Sequence, residues 1–298
     1  MKIVITGASG LIGSALIPTL RQAHTIIRMV RSQPANPDEM QWTRDQPLDL
    51  ALLRDVDAVI HLAGKNIGVR WTPQAKREIF ASRVEGTRTI AQAVAESSKQ
   101  TGKPNLFVSA SAVGYYGSRG DELLSEASGS GQGFLAEIVR EWEEATKAAA
   151  DAGVRTITPR IGVVLSPQGG ALARMLPPFK LGLGGPVGSG RQWMSWISLD
   201  DVVAAFRHLL TTRDLHGAVN LVAPNPLTNA DFTRALGKML HRPAVIPVPA
   251  FAIRLALGEM GQELLLSSTR VASKKLEESG YVFRHPEVMT ALREQLRR

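Results

Sequence analysis

A turn of glycines constrains this chain more than any other feature. Directly after the apolar run Lys2-Ile3-Val4-Ile5, the sequence reads Thr6-Gly7-Ala8-Ser9-Gly10-Leu11-Ile12-Gly13, with glycine at every third position and an apolar helical stretch beginning at once. Gly7 can take the backbone angles of a tight exit from a strand. Gly10 puts no side chain between the backbone and a bound diphosphate, and Gly13 lets the helix lie close on a sheet. Free N–H groups and the positive dipole end at the helix start then face the anion. Glycine-rich turns are common, so the weight comes from context: a strand at the chain start, a helix after the turn, and a second strand-like run at Thr25 to Val30. Gly7, Ser9, Gly10, Leu11, Ile12 and Gly13 are therefore candidate ligands of a nicotinamide dinucleotide.

The second strand bears on which dinucleotide. In such folds an acid at its end holds the ribose 2′-hydroxyl, whereas an arginine accommodates a 2′-phosphate. Thr25-Ile26-Ile27-Arg28-Met29-Val30-Arg31-Ser32 ends in Arg31 and its neighbour Ser32, with no acid before Asp38. A carboxylate would repel the phosphate and a guanidinium pairs with it, which favours NADP over NAD. Arg28 can share the role or can face solvent.

Strand-length apolar runs recur at Ala58 to Leu62, Leu106 to Ser109, Thr156 to Leu165 and Ala218 to Val222, alternating with helical patterns such as Pro73 to Ser97 and Phe134 to Ala152. This rhythm predicts an α/β fold, a doubly wound parallel sheet of Rossmann type with helices on both faces. Residues 1–224 are expected to form the dinucleotide-binding domain. Within it, residues 166–192 are expected to be an irregular loop on the substrate side, crowded with glycine and proline from Pro177 to Arg191. Residues 225–298 mix proline-bounded turns with helices and should form a small, mostly helical cap.

With 298 residues and no cysteine, the chain can bury a large core and has no thiol chemistry. No signal-peptide pattern or long uncharged apolar stretch is visible, so a cytoplasmic protein without membrane association is expected. The net charge of +8 is scattered apart from the basic end Arg293–Arg298, which argues for attraction of a polyanionic cofactor rather than nucleic-acid binding. The six histidines show no paired spacing, so no metal site is expected, and His61 is expected to pack beside a βα crossover. No Gly-X-Ser-X-Gly elbow is present. Trp193 and Trp196 suit either a pocket border or core packing.

Three stretches carry a family resemblance: the glycine turn, then Asp57-Ala58-Val59-Ile60-His61-Leu62-Ala63-Gly64, and Ser109-Ala110-Ser111-Ala112-Val113-Gly114-Tyr115-Tyr116-Gly117. With Gly188-Ser189-Gly190-Arg191-Gln192, Ser195-Trp196-Ile197-Ser198-Leu199-Asp200-Asp201 and the tail, the chain resembles the extended short-chain dehydrogenase/reductase superfamily. Within that superfamily it is similar to the atypical epimerase-family branch that includes the bacterial YfcH-like proteins. The resemblance implies that Leu62-Ala63-Gly64 lies along the cofactor, that Ser109 lies near the nicotinamide ribose, and that Arg160 runs past the nicotinamide. A small-molecule substrate, polar or nucleotide-linked, would sit between the sheet's carboxyl edge and the cap.

The superfamily's chemistry needs a Tyr and a Lys four residues apart on one helix, with a Ser to orient the substrate oxygen. Ser111 fits the Ser position. No Lys here has a Tyr four residues before it; Phe134 and Ile138 fall at the Tyr and Lys positions, and Arg83 takes the place of an asparagine before Val84-Glu85-Gly86-Thr87. Tyr116 is the candidate substitute acid, its pKa lowered by Arg119, Arg160 or Arg191. Two readings stand: an NADP(H)-dependent oxidoreductase or epimerase with an atypical site, and a non-catalytic NADP(H)-binding sensor or interaction protein.

Overall fold

The computed structural model describes residues 1–44 and 46–297. Its central sheet is built from β1 (Lys2–Thr6), β2 (Thr25–Val30), β3 (Glu39–Gln41), β4 (Ala58–His61), β5 (Leu106–Ser109), β6 (Ser111–Ala112), β7 (Arg155–Ile161) and β8 (Gly217–Leu221). The order is β8-β7-β5-β4-β1-β2-β3, with β6 also pairing to β7, and every pairing is parallel. Strand order reverses between β1 and β4. The turns leaving these two strands therefore lie side by side at the sheet's carboxyl edge, the crevice where open α/β sheets bind ligands.

Alternation along the strands explains why both faces are covered. Ile3, Ile5, Ile60 and Val108 pack on one face against Leu16, Leu20, Phe206 and Leu209 from helices Leu11–Leu20 and Leu199–Thr211. Val4, Val59 and Phe107 pack on the other against Leu53, Ile90 and Val94. A strand that is apolar at successive positions must bury both sides, which is the signature of a parallel sheet between helices.

Two expectations need correction. The run Thr156 to Leu165 is not one strand: β7 stops at Ile161, and Val163–Leu165 leaves the sheet to pair with Trp196–Ser198. Gly162 makes the break, since a Cβ there would lie 2.7 Å from the Ser195 carbonyl. Residues 166–192 are not irregular throughout, because Gly170–Lys180 is a helix. Leu172, Leu176 and Phe179 give it one buried face, which holds the helix although Pro177 and Pro178 each remove one backbone hydrogen bond from its last turns.

The C-terminal segment carries helices Asn229–Leu240, Ala250–Leu265, Lys274–Glu278 and Val288–Leu296. Its core is shared: Phe232, Leu236, Ala291 and Leu292 pack with Leu165, Leu172, Phe179 and Trp196. The last residue of the basic end, Arg298, lies outside the described residues, and Arg297 pairs with Glu294. Among the described residues no helix is long and apolar enough to cross a membrane.

Candidate functional site

β1 delivers the chain into the glycine turn with Gly7 at φ +68°, and a Cβ there would lie 2.6 Å from the carbonyl carbon of Leu62. Only glycine lets the two crevice turns approach so closely. At Gly13 a Cβ would lie 2.4 Å from the Gly7 carbonyl oxygen. The glycine expected to bring the helix close to the sheet instead seats it on its own turn, against Gly7 and Ala8. Gly10 differs, because a Cβ would meet only the Gly7 oxygen, at 3.2 Å, and the rest of its surroundings are open. Helix Leu11–Leu20 begins there without a side-chain cap and without an acid in its first turn. Its first amides, with exposed Ser9 and Gly10 beside them, are free to receive an anion.

At the end of β2 the arginines divide. Arg28 donates to both oxygens of Asp38, at 3.1 Å each, and pairs with Glu39 at 2.8 Å. Asp38 also takes Arg21, and these contacts hold its carboxyl below the usual range. Arg28 is therefore consumed in structure. Arg31 and Ser32 are exposed, and no described carboxylate pairs with Arg31.

A buried polar relay fixes the turn after β4. Thr6 Oγ1 accepts the amides of Leu62 and Ala63 at 3.1 and 3.2 Å and lies 2.7 Å from His61 Nδ1. With two N–H groups donating to that oxygen, its own hydrogen is directed to Nδ1, which puts the ring proton on Nε2. His61 is wholly buried, and burial brings its pKa down to about 4. It packs below the turn, edge-on to Trp42, and among the described residues no group of side chains could hold a metal. Ser109 ends β5 beside His61 in register, and its buried Oγ has no hydrogen-bond partner. An open Gly10 cradle and an orphaned Ser109 hydroxyl both suit a dinucleotide laid across the crevice.

The candidate catalytic groups form a chain of contacts. Ser111 Oγ donates to Glu143 Oε1 at 2.5 Å, and Arg160 donates to both Glu143 oxygens at 2.7 Å. Arg160 also donates to the Tyr116 hydroxyl at 2.9 Å, which in turn donates to Asn220 Oδ1 at 2.7 Å. Burial opposes the charge on Arg160, but Glu143 outweighs it and its pKa is raised.

Two expectations are corrected here. Tyr116 is wholly buried with its hydroxyl already bonded to Asn220 and Arg160, and burial pushes its pKa up, not down, against the pull of Arg160. A proton donor facing the nicotinamide was expected. Arg160 is buried in the same network, with its guanidinium paired to Glu143. Arg119 pairs with Glu122 and does not share in lowering a phenol pKa.

Glu143 was missed by sequence reasoning, since its partners lie 17 and 32 residues away and nothing local marks it. Phe134 packs against Trp71, and Ile138 is buried, so neither offers a proton-transferring group. Arg83 lies on a π-helical turn, Ala81–Glu85, between helices Pro73–Phe80 and Gly86–Thr101. Burial lowers its pKa to about 10. Trp196 is core, and Trp193 donates to Asp121 beneath Arg270.

Residues 3–222 match the NAD dependent epimerase/dehydratase family, and residues 248–295 match a domain of unknown function, DUF1731. The chain belongs to the NAD dependent epimerase/dehydratase family. This family member is 44% identical over 293 residues to epimerase family protein Mb2239 of Mycobacterium bovis, covering 97% of this chain and 96% of that one. It superposes on the crystal structure of human epimerase family protein SDR39U1 (isoform 2) with NADPH at a TM-score of 0.90, with 33% identity over 100% of this chain and 99% of that one. A nucleoside-diphosphate sugar epimerase from Corynebacterium glutamicum gives a TM-score of 0.81 and 37% identity over 99% of this epimerase-family chain, but 58% of the other.

Proposed function

We propose that this chain binds NADP(H) in the crevice between the turns after β1 and β4, and exchanges hydride with a small polar carbonyl or alcohol held beneath the C-terminal segment. The observation that carries the reading is the pairing of an uncapped, acid-free helix start at Gly10 with an uncommitted Arg31 at the end of β2. Backbone amides would hold the diphosphate and Arg31 the 2′-phosphate. The likeness to human SDR39U1, crystallised with NADPH, supports the choice of cofactor.

The bound nicotinamide would supply or accept the hydride. Ser111 would orient the substrate oxygen and carry the proton: on oxidation its Oγ would take the substrate hydroxyl's proton as its own hydrogen passes to Glu143 Oε1, and on reduction of a carbonyl the same relay would run in reverse. Arg160, Tyr116 and Asn220 hold Glu143 in place, as positioning residues.

A second reading, a non-catalytic NADP(H)-binding sensor, is favoured by one observation: Phe134 and Ile138 fill the Tyr and Lys positions with groups that transfer no proton. A carbonyl panel with NADPH, followed by loss of near-ultraviolet absorbance, separates the two. Turnover abolished in Ser111→Ala supports the enzyme. Tight NADPH binding with no turnover on any member of the panel supports the sensor.

A further inference from the structure

Two segments of the C-terminal half run side by side and expose an apolar ridge. Residues 180–188 and 242–250 are laced together: the Ile246 amide donates to the Gly184 carbonyl at 3.1 Å, Val248 to Pro186 at 2.9 Å, and Gly188 back to Val248 at 2.8 Å. A Cβ at Gly185 would lie 1.7 Å from the Ile246 carbonyl oxygen, so only glycine permits the approach. On this lacing Leu181 and Val245 are each 74% exposed, Leu183 57% and Ile246 46%. The chain then enters helix Ala250–Leu265, whose first eight residues are apolar except for Arg254, yet only Ile253 among them is buried. Phe251 and Leu255, four residues apart on one face, are 71% and 82% exposed. A helical stretch this apolar on all sides is ordinarily covered.

The charge along these segments is of one sign. Lys180, Arg191, Lys238, Arg242 and Arg254 are exposed, and none of them pairs with a carboxylate among the described residues. No acid occurs from residue 170 to residue 199 or from 232 to 258, and the acids that bound the second stretch, Asp231 and Glu259, are taken by Arg234 and Lys76. Arg242 donates to the Lys180 carbonyl at 3.0 Å, which sets two of the cations together beside Leu181. A contiguous exposed apolar surface marks contact with a protein or a membrane. Side chains standing this far out line no groove for a peptide, and a two-fold pairing of copies would bring one cationic rim against another. An anionic bilayer meets both features, since its headgroups attract the cations and its acyl boundary takes the apolar side chains. We propose that Leu181, Leu183, Val245, Ile246, Phe251 and Leu255 dip into an anionic lipid surface, with Lys180, Arg242 and Arg254 on its headgroups. Attachment of this kind needs neither a spanning helix nor bound cofactor. It runs against the sequence expectation of no membrane association, which rested on the lack of a span.

The test is co-sedimentation of the full chain with unilamellar vesicles, made of phosphatidylcholine alone or of phosphatidylcholine mixed equally with phosphatidylglycerol. The expected result is binding to the anionic vesicles, little to the neutral ones, and release at high salt. Lys180→Gln, Arg242→Gln and Arg254→Gln together should weaken that binding roughly a hundredfold, and Phe251→Ser with Leu255→Ser roughly tenfold. All five side chains are exposed, so both variants should keep the wild-type melting curve by circular dichroism. Failure of the wild type to sediment with anionic vesicles overturns the proposal, as does equal binding to both kinds of vesicle or binding unchanged in both variants. A dimer in sedimentation velocity that Phe251→Ser with Leu255→Ser dissociates puts a second copy on the ridge, and it too overturns the proposal.

Discussion

The arginines of β2 show how position and partner together decide the use of a side chain. Arg28 and Arg31 are three residues apart, yet of these two only Arg28 is engaged by Asp38 and Glu39. Arg31→Ala should therefore weaken NADPH roughly tenfold to a hundredfold, the loss of a charge-assisted contact, and leave NADH almost unchanged. Calorimetric titration with both coenzymes checks this, and equal losses would remove Arg31 from the 2′-phosphate. His61 makes a different prediction. Its pKa falls from 6.5 unfolded to about 4 in the buried folded state. Above pH 6.5 both states are neutral there and the residue costs nothing. As the pH drops from 6.5 towards 4, only the unfolded chain takes up the proton, so stability is lost, by about 3 kcal/mol across the window. His61→Asn should flatten the pH dependence of urea unfolding between pH 7 and 4.5 by about that amount. An unaltered profile would mean that His61 titrates normally.

Elements were legible where a local rule governs them. β2 and Leu106–Ser109 coincide with their apolar runs, and the glycine turn lies where its spacing puts it, because strand alternation and turn geometry are written in neighbouring residues. Helix Gly170–Lys180 was not legible: Gly169, Gly170, Pro177 and Pro178 read as breakers, and its buried face shows only against distant side chains such as Phe232, Leu236 and Leu292. The Ser111–Glu143–Arg160 cluster was half legible, its serine through motif and its glutamate not at all. Helix Phe134–Glu144 shows the same long-range dependence. Its start has no cap of its own; Glu263 from the C-terminal segment accepts the amides of Phe134 and Leu135 at 2.8 Å each. Glu263→Ala should cost about 1–2 kcal/mol in urea unfolding. Gly133→Ala should match or exceed that loss, since φ is +102° and its Cβ would lie 2.8 Å from Glu263 Oε1. A neutral Glu263→Ala would show the contact to be incidental.

At the scale of the molecule, the packing runs across the boundary expected near residue 224. The C-terminal segment is tied to the sheet domain by the shared apolar cluster and by Asp201, a wholly buried carboxylate at the start of helix Leu199–Thr211. Asp201 accepts the Ser198 hydroxyl at 2.8 Å, the Tyr281 hydroxyl at 3.0 Å, and the amides of Arg284 and His285 at 2.8 and 3.0 Å. Ser198 returns the contact by capping the Asp201 amide at 3.0 Å. Removing the carboxylate leaves buried donors without acceptors, each at a cost of about 1–3 kcal/mol. Asp201→Ala should lose at least about 3 kcal/mol, while the wild type unfolds in one cooperative transition. The same reasoning applies to cutting the chain after residue 224. Leu165, Leu172 and Trp196 would face water where Phe232, Leu236 and Leu292 now cover them. Residues 1–224 alone should therefore give no cooperative melt by circular dichroism, even with NADPH added. A fragment that melted sharply would show that the sheet domain folds by itself and that the C-terminal segment is docked onto it, not built into it.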